Sequence, residues 1–280
     1  MKQYFRMYKK HPKAVALRIL VTAAAALTVL MLFSLVFYIL IKGIPNLKPS
    51  LFEWKYTSKN ASMMPAIIHT ITMVLMTLLI AVPFGIGSAI YLTEYAKRGN
   101  KVVPVIRMTT ETLSGIPSIV YGLFGYMAFV HWLDWGYSLM AGIITLAIMI
   151  LPLIMRTTEE ALLAVPDSYR EGSYGLGAGW LRTIFRVVLP SAMPGILSGV
   201  ILGVGRIVGE TAALIYTAGS VTGVPTSLMS SGRTLAVHMY ALLSEGLYTD
   251  EAYATAVVLL VLVFIINRLS AYVANKIQNR

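Results

Sequence analysis

Six stretches of roughly 20 apolar residues, each long enough to cross about 30 Å of hydrocarbon, limit how this chain can fold more than any other feature. They run from about Ile19 to Ile41, Ala66 to Leu92, Leu113 to Leu133, Leu139 to Met155, Val187 to Ala213 and Ala254 to Leu269. Over 280 residues the chain is 57% hydrophobic and 12% charged. With a mean hydropathy of +0.73, it excludes both a soluble domain, whose surface must meet water, and a disordered chain. Cysteine is absent, which removes disulfide scaffolds, thiolate metal sites and cysteine nucleophiles. The fold class read from this pattern is an all-α integral membrane protein with six transmembrane helices.

A formal net charge of +11 invites a nucleic-acid reading, but the basic residues fall in short clusters between apolar runs, as in membrane proteins. Lys2, Arg6, Lys9, Lys10 and Lys13 precede a run longer than the 7–15 residues of a signal-sequence core, so the first span is read as retained. With the N-terminus cytoplasmic, seventeen Lys and Arg lie inside and five (Lys42, Lys48, Lys55, Lys59, Arg233) outside. The tilt puts both termini in the cytoplasm. The charge is thus topology and attraction to anionic membrane lipid, with no nucleic-acid partner. Arg206, inside the fifth span, belongs to neither side.

The organisation follows: a cytoplasmic tail over 1–18, a first helix over 19–41, a core over 66–269 and a cytoplasmic tail over 270–280. Pro83, Pro117, Pro152, Pro190 and Pro194 sit in or beside the spans, and a broken helix in lipid needs other helices or a watery cavity to satisfy its freed backbone groups. Leu235 to Leu243 reads as a short helix at the outer face. The cytoplasmic loop over 156–186 reads as two short helices. One runs from Arg156 to Val165; the other is capped by Asp167 or Ser168 and ends among Gly175, Gly177 and Gly179.

Within that loop Glu171, Gly172, Ser173 and Gly177, followed by Val187, Leu189 and Pro190, resemble the EAA motif of permease subunits of bacterial ABC importers. Gly172 and Ser173 replace its two alanines. The segments Ser114–Phe124, Arg206–Ala213 and Ser244–Ala256 are similar to those of phosphate-specific permeases, of the PstA type rather than the PstC type. The resemblance implies a type I ABC importer permease fold, a heterodimer with a PstC-type subunit, two PstB-type ATPase subunits and a PstS-type phosphate-binding protein. It implies that the loop docks on the ATPase, with Arg170, Glu171, Gly172, Ser173, Tyr174 and Gly177 forming the coupling surface. No nucleotide-binding or hydrolase motif occurs in this sequence. ATP and Mg are expected on the partner ATPase, with no metal, cofactor or catalytic residue in this chain.

Arg206 and Glu210 are the remaining candidates. A charge near the bilayer centre costs about 2.5–3.5 kcal/mol on insertion scales and should face protein or water. Four-residue spacing lets the two side chains meet on one helical face, shared with Gly199 and Gly203. One reading is a packing ion pair. The other is an anion path in which Arg206 offers a planar donor fork to phosphate and Glu210 holds that fork until the anion competes for it. Phosphonate, sulfate or molybdate fit the same chemistry, and a membrane scaffold or enzyme is the alternative of another class. His69, His131 and His238 read as packing residues, and Arg107 with Glu111 as a surface pair.

Overall fold

The computed structural model describes residues 12–96 and 99–278. Lys2, Arg6, Lys9, Lys10, Lys97, Arg98 and Arg280, which enter the charge count, lie outside the described residues. Ten helical elements follow the apolar runs: α1 (Pro12–Gly43), α2 (Met64–Tyr95), α3 (Val102–Ser114), α4 (Ser118–Trp132) and α5 (Leu139–Leu163), then α6 (Asp167–Gly175), α7 (Trp180–Gly209), α8 (Ala212–Thr217), α9 (Leu235–Glu245) and α10 (Thr249–Gln278). No strand occurs among the described residues.

Helix α5 is the axis of the bundle. Ser138 caps it by accepting from the Ala141 N–H at 3.2 Å. Its Ile143, Leu146, Met149, Ile150 and Ile154 are fully buried, among Met73, Val74 and Ala81 of α2, Val204, Ile207 and Val208 of α7, and Leu214 of α8. Lipid tails are as apolar as these side chains, so close packing rather than water exclusion holds such helices together. Small residues supply the closeness. A Cβ on Gly199 would collide with Thr157 of α5, and one on Gly195 would stand 2.6 Å from the Ala161 Cβ. The glycine face of α7 therefore packs on α5 of the same chain.

The third span is not one rod. Helices α3 and α4 meet at 100°, so the described residues hold five membrane-length helices, or six when this bent pair counts as one span. Pro117 sits at that break, whereas Pro83, Pro152 and Pro194 lie inside continuous helices. The fifth span starts earlier than its apolar run, at Trp180, and ends at Gly209 instead of Ala213. Residues 157–163 prolong α5, so of the two short loop helices expected only α6 is separate. The Leu235–Leu243 helix exists as α9, but Leu235, Val237 and Leu242 are buried in the fold instead of lying in the membrane face.

Replacing Gly199 by Val forces α7 away from Thr157, and overpacking of this kind costs about 1–3 kcal/mol. The melting temperature of the detergent-solubilised protein is expected to fall clearly. Gly87→Ala, with open space at its Cβ position, is expected to leave it unchanged.

Candidate functional site

Two breaks in the apolar core lie side by side. At the first, Gly115 and Pro117 end α3, and two of its last carbonyls take hydroxyl donors. The Ser114 hydroxyl donates to the Glu111 carbonyl at 2.7 Å and the Tyr121 hydroxyl reaches back to the Leu113 carbonyl at 2.8 Å. At the second, Glu210 takes an extended backbone conformation and α8 starts afresh. Helices α4 and α8 then pack so tightly that a Cβ on Gly122 would stand 2.7 Å from the Ala213 Cα, and one on Gly125 2.7 Å from Thr217. Residues 122 and 125 thus match 213 and 217, so the two half-helices run parallel.

Arg206 and Glu210 stand at this joint but do not pair. With the helix ended at Gly209, the four-residue spacing no longer stacks the side chains. Glu210, 8% exposed, accepts from the Ala213 N–H at 3.0 Å and so caps α8, a position where a carboxylate complements the helix dipole. None of the ion pairs or side-chain hydrogen bonds among the described residues engages Arg206. Its guanidinium is half-buried and within coulombic reach of the Tyr121 phenol. Sequence spacing alone missed Tyr121, whose signal is a lone phenol directly after the Gly-Ile-Pro-Ser break.

The cytoplasmic candidates separate into two groups. Arg170 is turned inward. Its guanidinium donates to Glu94 at 2.7 and 3.4 Å, to the Leu162 and Val165 carbonyls at 3.0 and 2.9 Å, and to Asp167 at 3.2 Å. The Arg170 and Glu94 side chains are 15% and 7% exposed. The Glu94 hydrogen bond is the largest cause raising the Arg170 pKa, against the opposing effect of burial. Arg170 therefore clamps α6 to the inner end of α2 and adds a donor to the Leu162 carbonyl at the end of α5 and to the Val165 carbonyl just past it. Ser173 also faces inward, its hydroxyl 2.8 Å from that of Thr183.

Glu171, Gly172 and Tyr174 are exposed, with Tyr169 and Leu176 beside them. Gly177 turns the chain after α6 at φ +81°, a conformation that a Cβ disfavours. Arg107 pairs with Glu159 of α5 instead of Glu111. Glu94 escaped the sequence reading because it lies 76 residues from Arg170.

The sequence profile of the family described as "Binding-protein-dependent transport system inner membrane component" matches residues 81–279. The chain is 33% identical over 277 residues to the "Probable ABC transporter permease protein YqgI" of Bacillus subtilis, covering 91% of this chain and 93% of that one. It is 42% identical over 167 residues to the "Phosphate transport system permease protein PstA 2" of Mycobacterium bovis, covering 59% and 54%. Among solved structures, a bacterial alginate ABC transporter bound to its periplasmic protein superposes with a TM-score of 0.70 at 16% identity, covering 98% of both chains. That likeness shows the fold, the type I importer permease fold expected from the sequence.

Glu94→Gln removes the buried carboxylate and leaves Arg170 only the exposed Asp167, a loss of about 3 kcal/mol. Hydrogen exchange over residues 167–175 is expected to rise about a hundredfold. The exposed Glu171→Gln is expected to leave that exchange unchanged.

Proposed function

The chain belongs to the binding-protein-dependent transport system inner membrane component family, and from that premise we propose that this multi-pass subunit carries inorganic phosphate across the inner membrane by alternating access. ATP is hydrolysed with Mg on two separate PstB-type ATPase subunits. A PstC-type permease completes the path, and a PstS-type binding protein delivers the anion at the outer face. Relatives named as phosphate transport permeases support the substrate.

The observation that carries this reading is Arg206. A permanently charged fork at membrane depth, beside two helix breaks and without an internal carboxylate partner, suits an oxyanion in transit. Glu210 plays a different part from the one expected: it secures α8 rather than holding the Arg206 fork. The anion therefore has no internal carboxylate to displace. Binding stays weak because the pathway must also release its cargo.

At the cytoplasmic end, Glu171, Tyr174 and Leu176 form the proposed surface that docks on the ATPase. Arg170 acts behind them as a positioning residue, passing movement of α6 to α2 and α5.

Arg206→Gln is expected to abolish uptake of labelled phosphate by reconstituted vesicles while the complex assembles normally; unchanged uptake would return Arg206 to a packing role. Glu171→Lys is expected to lower co-purification of the ATPase subunits by about tenfold or more, as truncating an interface hot spot does. Normal recovery of the ATPase would dismiss the docking surface.

A further inference from the structure

A second basic cluster, on the outer side, is left unexplained by the pathway around Arg206. From Glu210 the half-helix α8, about 9 Å long at 1.5 Å per residue, leads outward to Ala218. The Ala218 carbonyl accepts from the Gly232 N–H at 3.1 Å and from the Ser231 hydroxyl at 2.8 Å. Next along the chain is Arg233, only 5% exposed. Its backbone is held by the Val221 carbonyl at 3.1 Å, and its guanidinium lies 4.9 Å from the centre of the Tyr56 ring.

That ring face is the side chain's visible partner. None of the ion pairs or side-chain hydrogen bonds among the described residues includes Arg233, and its Nη2 is buried without an acceptor. A cation–π contact offsets only part of the cost of taking a guanidinium out of water. A buried cation of this kind calls for an anion that the chain itself does not contribute.

The surroundings say which chemistry fits. His238 stacks edge-on to the same Tyr56 ring at 6.2 Å and is 1% exposed, with no side-chain partner for either ring nitrogen. Burial first, and the Arg233 charge second, push its pKa down to about 3, against the opposing pull of the Ala61 backbone carbonyl beside the ring. The ring is therefore neutral; its N–H is directed at Ala61 and its other nitrogen is left an acceptor. His69 lies directly against Gly232, its Nε2 donating to the Gly223 carbonyl at 2.9 Å, which leaves its buried Nδ1 a bare acceptor. The Arg233 fork thus stands beside one imidazole, His238, with a nitrogen that can accept.

We propose that Arg233, with His238, forms an outer binding site for a small oxyanion that carries its own hydroxyl, such as hydrogen phosphate. The charged oxygens take the Arg233 fork, and the anion's O–H donates to the imidazole nitrogen of His238 that does not face Ala61. Sulfate, which has no O–H at neutral pH, leaves that nitrogen unpaired and binds less well. The site is separate from Arg206 and does not depend on the role assigned to it.

The test uses the assembled transporter in nanodiscs without its binding protein, with inorganic phosphate as the probe. Equilibrium dialysis with labelled phosphate is expected to show a site that survives Arg206→Gln, weakens about tenfold or more in Arg233→Gln, and is displaced by arsenate far better than by sulfate. In the wild-type complex, phosphate is expected to slow hydrogen exchange several-fold over residues 53–63 and 230–240, a readout that stands even where Arg233→Gln does not assemble. Unaltered phosphate affinity in Arg233→Gln, equal displacement by sulfate, or no change in that exchange would overturn the assignment. So would a binding-protein affinity that falls in Arg233→Gln while phosphate binding holds, because the missing anion would then be a carboxylate of the partner protein.

Discussion

In hydrocarbon a backbone N–H or carbonyl has no water to bond, and the rest of this structure depends on how two interruptions of the membrane helices meet that constraint. The break at Gly115–Pro117 is closed by Ser114 and Tyr121, and the break after Gly209 by the Glu210 carboxylate. Each repair uses a side chain at the break: two hydroxyls bond carbonyls at the end of α3, and one carboxylate accepts from the first turn of α8. The parallel packing of α4 on α8, close enough to leave no room for a Cβ at Gly122 or Gly125, then joins the two repairs into one unit. Arg206 stands beside that unit with its fork uncommitted.

Helix α5 connects this unit to the cytoplasm. Its outer half meets Gly125 through Thr145, its inner half meets Gly199 through Thr157, and its final carbonyls are held by Arg170. A 25-residue helix is about 37 Å long, so one rigid element spans from the half-helices to the EAA-like segment. Arg170 adds a second attachment through Glu94 to α2. Helix α6 is consequently fixed to two membrane helices that are packed against each other.

Much of this was legible in the residues. The apolar runs located the membrane helices, Pro117 was among the prolines expected to break them, and the stretch from Asp167 to the glycines marked α6, although its N-cap is Pro166 rather than Asp167 or Ser168. Other features were opaque for identifiable reasons. Pro83, Pro152 and Pro194 look like Pro117 in sequence, yet neighbouring helices carry them inside unbroken segments. The second break contains no proline at all, so composition left the Arg206–Glu210 spacing looking like an intact helical pair. Glu94–Arg170 and Tyr56–Arg233–His238 join positions far apart in the chain, and helical periodicity reports only neighbours three or four residues away.

Sequence by itself determined that the chain is an all-helical membrane protein with an EAA-like segment between its fourth and fifth spans. These rest on the cost of placing polar groups in lipid, which acts residue by residue. Tertiary structure alone decided which charges are partnered. It gave Glu210 to the N-terminus of α8, Glu94 to Arg170 and Glu159 to Arg107, and it left Arg206 and Arg233 without carboxylates. The reason is physical: the fate of a charge depends on what lies within a few ångströms of it, and in a helical bundle those neighbours come from other helices.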